Sequence, residues 1–492
     1  MAGSESQCCF SGVCLVTALF LSACTHQEFK DNSIQRACPP SVYFLPSLPG
    51  LGNENHPVPP ECPAERSTVA QDFPDGGLDP LSIYDVVDQA LCRHPLTRKL
   101  WAHSRSLAAQ HGKAKSAFYP QLKAGICAAK VEQPVVGKTV QQQRQTVFYP
   151  QLELIYSLFH FGRDEASVQA VKEALEASQH RYTRGLQTVI HHAQCAYCKL
   201  DSAKAAVEAE EENLRDAERM REAVSKRYRS GLVNQQEDLR AEASLCQARY
   251  HLEQTRTGVE AARAELSAVC GRPVSSGFDI LPLPRKDIAW EELFSGFETW
   301  MERPVEERED LVAAKGQLAS KEAALKAKEK SLWPELVFGF TDSLRKFRHV
   351  NGSHQQYNAY VALQWNLFDG FRNTYDILEA AEEREVAEAE WQEARLKASQ
   401  EIWTAYHAVQ STRKQLQAAE SCREAARKSF EATQVAYQNG LASFSDLVSA
   451  QSALASARQQ QVQTEDAAYV ALANLGYATG GIVVGEASPH PL

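Results

Sequence analysis

Two stretches of the chain alternate between apolar and polar positions. In residues 357–367 the odd positions are apolar and the even positions are mostly polar, and residues 151–158 show the same alternation. A period of two is typical of a β-strand with one apolar face. Another strand precedes each stretch, at about residues 122–131 and 336–344. The pattern therefore predicts two β-hairpins with polar loops.

Most of the remaining chain has the composition of helix. Residues 164–229 contain no proline and one glycine, and residues 373–436 contain neither, so each stretch predicts one helix of about 100 Å at 1.5 Å per residue. A shorter helix precedes each hairpin and ends at Pro120 or Pro334. A return helix follows each long one. The shorter helix and the return helix together match the long helix in length, so we expect them to stack end to end beside it.

The second half of the chain repeats the first. The stretches that begin at Tyr228 and Tyr437 both contain Tyr, then Gly-Leu, then an acid, then Leu-x-x-Ala-Arg, and 437 − 228 = 209. The glycines at the ends of the return helices, Gly271 and Gly480, keep the same offset. An internal duplication of this kind is one supersecondary unit used twice.

The repeated Gly-Leu pair predicts a turn at the end of each long helix. Gly231 and Gly440 allow a helix to end and the chain to reverse, because glycine tolerates the left-handed conformation. Leu232 and Leu441 are predicted to fold back as apolar plugs on the preceding helical turn.

The first 80 residues do not look like part of the helical repeat. A short apolar run ends in small residues before Cys24, which is typical of a secretory signal, and Leu-Ser-Ala-Cys at 21–24 resembles a bacterial lipobox. The segment before the run has no Lys or Arg, so an ordinary cleaved signal is the alternative. We therefore assign residues 1–23 to a signal peptide and 24–80 to a lipid-anchored, proline-rich extended segment.

Composition and motifs exclude several functions. A net charge of −10 disfavours nucleic-acid binding, which needs a basic surface. No nucleophile, acid–base or phosphate-loop pattern occurs, so we expect no enzyme and no cofactor. His191, Cys195 and Cys198 lie on one helical face and supply part of a metal shell at most, with ordinary packing as the alternative. No metal centre is therefore predicted. Among the cysteines, Cys38 and Cys62 are the simplest candidates for a disulfide.

The order of the elements resembles the TolC family of outer-membrane efflux proteins, in its lipoprotein, pump-linked branch. The resemblance covers residues 81–480 and rests on "YPQL" where the first helix stops, "LFDGFR" at the exit of the second hairpin, and "YxxGL" at the turns. The first half departs from it, because "LFHFGR" lacks the Asp-Gly pair. The implied parts are repeat 1 at 81–275, an inter-repeat equatorial segment at 276–302, repeat 2 at 303–480 and a tail at 481–492.

The resemblance implies a mainly α protein with a membrane β-barrel. Each chain of a homotrimer would give four strands to a shared twelve-stranded barrel in outer-membrane lipid and several helices to a long periplasmic tunnel. The implied partners are a periplasmic adaptor protein and an inner-membrane transporter. The implied function is the exit duct of a tripartite efflux or type I secretion system. Its cargo stays open, and a soluble coiled-coil scaffold or an adaptor subunit are the alternatives.

The resemblance also implies a gate at the far tips of the long helices. The acid of the second tip is implied to form a ring in the trimer, and its tyrosine to hold the closed state. Helix capping is the alternative role for both acids. Ala442 and Ser449 replace a gate arginine and a second acid of the best-known pattern. The predicted gate residues are Asp446, Tyr437, Gly440 and Leu441 on the second tip, and Glu237, Gly231 and Leu232 on the first.

The hairpin strands suit a tilted crossing of a bilayer, because each is about ten residues long. Val361, Leu363 and Trp365 are predicted to face lipid, with Gln364 and Asn366 facing the lumen. A soluble hairpin with one buried face is the alternative.

The lipobox predicts that Cys24 carries lipid and that residues 1–23 are absent from the mature protein. Mass spectrometry of the purified N-terminus measures both. An unmodified Cys24, or a mature start elsewhere, would contradict the prediction. Cys24→Ser should still yield some assembled protein, because the strands hold the membrane independently of the anchor.

Overall fold

A computed structural model describes residues 80–135, 141–274, 279–283, 305–347 and 353–481 of the 492-residue chain. All of them belong to one compact unit, 73–492. The predicted signal, Cys24, and Cys38 and Cys62 lie outside the described residues. The first repeat contains α1 (Ile83–Arg93), α2 (Pro95–Lys115), β1 (Gln121–Val135), β2 (Gln141–Phe159), α3 (Arg163–Arg229) and α4 (Gln235–Val269). The second contains α5 (Glu309–Lys330), β3 (Glu335–Phe347), β4 (Ser353–Gln364), α6 (Arg372–Gln438) and α7 (Phe444–Ala478).

The duplication read from the sequence is a duplication of structure. The long helices α3 and α6 each have 67 residues, and their starts differ by 372 − 163 = 209. The return helices α4 and α7 each have 35 residues and keep the same offset. The predicted long helices are therefore confirmed, with bounds within two residues of those expected.

The helices end where the glycines stand. After α3, the amide of Leu232 donates to the carbonyl of Arg227 (2.9 Å) and the amide of Gly231 donates to that of Tyr228 (2.9 Å). This pair of bonds is a Schellman motif, which requires a left-handed residue, and Gly231 has φ +74°. The same motif recurs at Gly440, which also has φ +74°.

The shorter helices stack end to end, as the lengths predicted. Where α7 ends, the guanidinium of Arg308, the residue before α5, donates to the carbonyl of Ala478 at 2.8 Å. Where α4 ends, a side chain on Gly271 would meet the backbone of Arg93 at about 3.0 Å, so α1 and α4 are in close contact there. The positive charge of Arg308 at the C-terminus of α7 also interacts favourably with the negative end of the helix dipole.

An apolar core lies where α1 and α4 pack on α3. Its members Val86, Val189, Leu200 and Leu266 are completely buried. Each such side chain stabilises the fold by about 1.5–3 kcal/mol relative to exposure. Tyr197 is also buried there, and its hydroxyl donates to the carbonyl of Leu281 at 2.5 Å.

The four strands form one antiparallel sheet in the order β1-β2-β3-β4. Each hairpin is confirmed, and β2 pairs with β3 to join the two repeats. The predicted bounds of β4 are wrong at the end, because the ladder stops at the pair Glu335–Gln364. Pro334 precedes Glu335 and has no amide to donate, so Trp365 has no strand partner. Its indole N–H instead donates to the carbonyl of Leu332 at 3.0 Å.

Across the described part of the chain, the helices are too polar to include one that could cross a membrane.

Candidate functional site

The register of the sheet collects apolar residues from all four strands on one face. Val361 lies opposite Phe338 on β3, which lies opposite Tyr156 on β2. Side chains that are paired across a ladder point to the same side of the sheet, so the apolar positions of the four strands share one face. The face contains Leu122, Ala124 and Ile126 on β1, Pro150, Leu152, Leu154 and Tyr156 on β2, Leu336, Phe338 and Phe340 on β3, and Ala359, Val361 and Leu363 on β4.

This apolar face is exposed in the single chain. Ile126, Val361 and Leu363 are 82%, 62% and 65% exposed. The opposite face is mostly polar, with residues such as Gln121, Lys123, Gln151, Glu153, Thr341, Ser343, Asn358 and Gln364. Nothing within the described chain covers the apolar side, and an exposed apolar face marks a surface for contact with lipid or with another protein.

Aromatic residues mark both ends of the apolar band on β4. Tyr357 stands at one end and Trp365 at the other, and both are exposed. They are eight residues apart, or about 26 Å at 3.3 Å per residue in a strand. Outer-membrane strands carry an apolar band of about 25 Å between aromatic girdles. Trp365 is therefore placed at the edge of the band and not within the strand.

At the opposite end of the long helices, the predicted leucine plugs are wrong. Leu232 is 69% exposed and Leu441 is 83% exposed. The next residues, Val233 and Ala442, pack against the apolar cluster between the two tips instead. These residues lie in the tight turn between two helices, where Val233 and Ala442, and not the leucines before them, face the cluster.

Both predicted gate acids belong to helix caps. The side chain of Ser443 accepts from the amide of Asp446 (3.2 Å), and the Asp446 carboxylate accepts from the Ser443 amide (3.0 Å). At the first tip, the side chain of Asn234 accepts from the amide of Glu237 at 2.9 Å. The capping alternative is thus confirmed for the Asp446 carboxylate, whereas only the backbone of Glu237 takes part in its cap. The Ser443 hydroxyl and amide hold the pKa of Asp446 below its ordinary value, and the side chain is exposed.

Tyr437 joins the two tips through three contacts. Its hydroxyl donates to the carboxylate of Glu237 at 3.2 Å. Its carbonyl accepts from the Arg227 guanidinium at 2.7 Å, and that guanidinium lies 4.7 Å from the centre of its ring. Burial, with a smaller effect of Glu237, raises the pKa of Tyr437, so the hydroxyl stays a donor at neutral pH. We name these three residues the tyrosine clamp.

A second arginine ties the tips farther along. Arg458 on α7 donates to the side chains of Asn213 (2.8 Å) and Asp216 (2.9 Å) on α3. Sequence reasoning missed both arginines of the tip region as site residues. Arg458 had a signal, since it ends the repeated Leu-x-x-Ala-Arg. Arg227 had none, because nothing local to it indicates that it lies beside Tyr437.

The cluster at His191 is packed rather than assembled for ligation. His191 Nε2 donates to the Oδ1 oxygen of Asn474 at 2.6 Å, and the His191 ring stacks on the Tyr477 ring with centroids 4.7 Å apart. Burial raises the pKa of Cys195 to about 11 and of Cys198 to about 12. Both thiols are therefore neutral at physiological pH, whereas metals bind thiolates. In the described residues no group of three or more His, Cys, Asp or Glu is placed to hold a metal ion.

The outer membrane efflux protein model matches residues 86–272 and 300–481, which is most of the chain. The chain belongs to the outer membrane efflux protein family. Protein CyaE of Bordetella pertussis is 27% identical over 411 residues, which cover 82% of each protein.

Solved structures of this family share the fold of the chain. The outer-membrane channel OprN superposes with a TM-score of 0.71 at 20% identity, over 81% of this chain and 90% of OprN. The Campylobacter jejuni CmeC outer membrane channel gives 0.72 at 17% identity, over 81% of this chain and 85% of CmeC. These neighbours are channels rather than enzymes. Within this family, the chain is an outer-membrane exit duct of an efflux or secretion system, and neither a coiled-coil scaffold nor an adaptor.

Removing the arginine of the tyrosine clamp should loosen the tips more than removing the hydroxyl. Arg227→Ala loses a charged hydrogen bond of about 1.5–3 kcal/mol and also the ring contact of about 0.5–1 kcal/mol, whereas Tyr437→Phe loses only the long 3.2 Å hydrogen bond to the Glu237 carboxylate, at about 1.5 kcal/mol. Hydrogen exchange of tip amides, followed by mass spectrometry, measures the local opening. Arg229→Ala is the matched control, because Arg229 is an exposed arginine on the same turn. Equal exchange in all three variants would contradict the clamp.

Proposed function

We propose that three copies of this chain close into one duct across the outer membrane. The observation that supports this is the pair of free sheet edges, since β1 and β4 each pair on one side only in the described chain. Unpaired backbone groups are not tolerated in lipid, and four strands are too few to close a barrel. Pairing β4 of one copy with β1 of the next satisfies both edges and gives twelve strands. The exposed apolar face then meets lipid, and the polar face lines the lumen.

The helices leave free edges on the same two sides. Near the tips α3 packs on both α4 and α7, and α6 packs on α7, so their order is α4-α3-α7-α6. The outer helices keep exposed apolar residues, namely Leu239 and Tyr250 on α4, and Val386, Leu396, Trp403 and Val435 on α6. A ring of copies would cover part of this surface, with α6 of one copy beside α4 of the next. Such a ring continues the barrel as a helical tunnel.

The tunnel supplies the route from the periplasm to the outside. A long helix of 67 residues extends about 100 Å at 1.5 Å per residue, so its tip lies far from the sheet. We expect a periplasmic adaptor protein to bind the tip region and an inner-membrane transporter to deliver the substrate. A lipid on Cys24 would add a second attachment to the outer membrane.

The tip of the second hairpin provides the gate. Asp446 is exposed beside the turn at Gly440, and Tyr437 holds this turn to the first hairpin. Three copies of Asp446 around the axis form a ring of negative charge that attracts cations. Gly231, Gly440 and the exposed Leu232 and Leu441 shape the rim of the entrance.

The lipid-facing assignment of β4 is tested by placing arginine on each face. Val361→Arg should cost about 2–4 kcal/mol if the side chain meets the middle of the bilayer. Gln364→Arg should be tolerated and should alter permeation only, because its face lines the lumen. Urea unfolding of the protein refolded into bilayers measures the first effect, and single-channel conductance the second. Equal damage at both positions would support a soluble hairpin instead.

The gate ring is tested with multivalent cations added from the periplasmic side in a planar bilayer. They should block conductance, and Asp446→Asn should relieve the block, whereas the matched Glu237→Gln should change it much less. Repulsion among three carboxylates raises the pKa of Asp446, whereas the hydrogen bonds from Ser443 lower it. Because the two effects oppose each other, Asp446 should stay ionised at pH 5 and the block should persist. If Asp446→Asn leaves the block unchanged, Asp446 has only its capping role.

A further inference from the structure

The two hairpins of the sheet have the same register. The first residues of β1 and β3 are Gln121 and Glu335, and 335 − 121 = 214. Gln121 lies opposite Ile155 on β2, and Glu335 lies opposite Gln364 on β4, where 364 − 155 = 209. An offset of 214 from β1 to β3, together with an offset of 209 from β2 to β4, therefore produces every pair of the second hairpin from a pair of the first.

The end of β2 is a strand only because β3 lies beside it. The pairing of β2 with β1 stops at Ile155. Beyond that residue, Tyr156 and Ser157 pair with β3 alone, and after a bulge Phe159 lies opposite Leu336 of β3. The last part of β2 thus depends on the ladder that joins the two repeats.

The counterparts of these residues on β4 have no ladder in the single chain. They are Trp365, Asn366 and Phe368, since 156 + 209 = 365, 157 + 209 = 366 and 159 + 209 = 368. Strand β4 ends before them, at Gln364. Trp365 and Phe368 are 60% and 73% exposed. These residues continue the alternation of a strand but lack the neighbouring strand that their counterparts on β2 have.

The strand that could pair with them is β1, because β1 is the counterpart of β3. Within one chain β1 lies at the opposite edge of the sheet from β4, so only another copy can bring a β1 beside β4. The offsets then give the pairs. Leu154 lies opposite Phe340 within a copy. Since 154 + 209 = 363 and 340 − 214 = 126, Leu363 is expected opposite Ile126 of the next copy.

We infer that β4 of one copy pairs with β1 of the next in the register that sets Leu363 opposite Ile126, and that this pairing extends β4 from Gln364 to Phe368. The partner surface is the β1 edge of a second copy of this chain. The inference rests on the proposed trimer and adds the residue pairs that join its copies.

The register matches the side chains on the apolar face of the sheet. Trp365 lies opposite Ala124, whose small side chain leaves room for the indole. Leu363 and Ile126, which are 65% and 82% exposed in the single chain, become cross-strand neighbours. A slip of one residue would carry the apolar positions of β4 to the polar face of β1.

The extension also makes the two repeats equivalent where strands lead into helices. Phe159 is the last residue of β2, and α3 begins at Arg163, where 163 − 159 = 4. With Phe368 as the last residue of β4, the start of α6 at Arg372 follows after the same interval, since 372 − 368 = 4. Pairing between copies therefore fixes the point at which α6 leaves the sheet, as pairing within a copy does for α3.

A native thiol makes the register measurable. Cys127 on β1 is free and exposed. Because 489 − 127 = 362 and the expected pairs sum to 363 + 126 = 489, Cys127 is expected opposite Ala362 of the next copy. Directly opposite residues have Cα atoms about 4.5–5.5 Å apart, within the range of a disulfide. The test variant is Ala362→Cys, in a background with Cys246→Ser and Cys422→Ser to remove the other exposed free thiols of the described residues.

Two matched controls place the cysteine on the same face, two residues to either side. They are Tyr360→Cys and Gln364→Cys in the same background. Each moves the thiol about 7 Å along the strand, which is too far for a disulfide without backbone movement. All three variants are oxidised with copper phenanthroline in outer-membrane preparations, and non-reducing denaturing gels show how many chains are linked.

Ala362→Cys should give covalently linked trimers, and it should link about tenfold faster than either control. Faster linking of Tyr360→Cys or Gln364→Cys would overturn the register. Native mass spectrometry of the same samples separates this inference from the proposed trimer. An intact trimer that links in none of the three variants defeats only the pairing of β4 with β1, whereas a monomer defeats the trimer itself.

Hydrogen exchange tests the extension of β4 without any substitution. In the assembled protein the amides of residues 365–368 should exchange about as slowly as those of residues 156–159, because both segments would then pair with one neighbouring strand. Mass spectrometry of peptides that cover the two segments provides the comparison within one sample. Exchange about a hundredfold faster at 365–368 than at 156–159 in an intact trimer would show that β4 still ends at Gln364 and would overturn the extension.

Discussion

The need to pair every backbone amide and carbonyl in lipid governs this molecule. A four-stranded sheet leaves two edges open, and water cannot satisfy them inside a bilayer. Contact with water is unfavourable for the apolar face that carries Val361 and Leu363, whereas contact with lipid would be favourable. Once the edges must be paired by other copies, the helices that follow the strands are brought into the same ring. Assembly and membrane insertion are thus one requirement.

The two halves of the repeat share their elements but not their contacts. In this chain the halves have diverged at the contact positions, so that Arg227 and Asp216 have Ala436 and Ala425 as their counterparts. The hydrogen bonds of Arg227 and Arg458 therefore join the first hairpin to the second within one chain, and the repeat does not duplicate them in the described residues.

Local signals made the helices predictable and left the strands partly hidden. Gly231 and Gly440 indicate the turns, because few other residues accept a φ near +74°. In contrast, β2 begins at Gln141, ten residues before the alternation that predicted it. Its polar start, "QQQRQT", has no apolar pattern, and pairing with β1 alone extends the strand. Trp365 shows the opposite error. The alternation of apolar and polar residues continues through Trp365, but the first residue of β3, Glu335, already pairs with Gln364, so no ladder partner remains for Trp365.

The sequence by itself determined the repeat, the length of each helix, the turns and the caps at Asn234 and Ser443. These features depend on residues a few positions apart, whose preferences act within one helical turn. Only the tertiary structure decided which apolar residues share a sheet face, that Leu232 points outward, and that Arg227 meets Tyr437 from 210 residues away. Such choices depend on how separate elements pack, and the energy of a contact between them is set by register and burial rather than by neighbours in the chain.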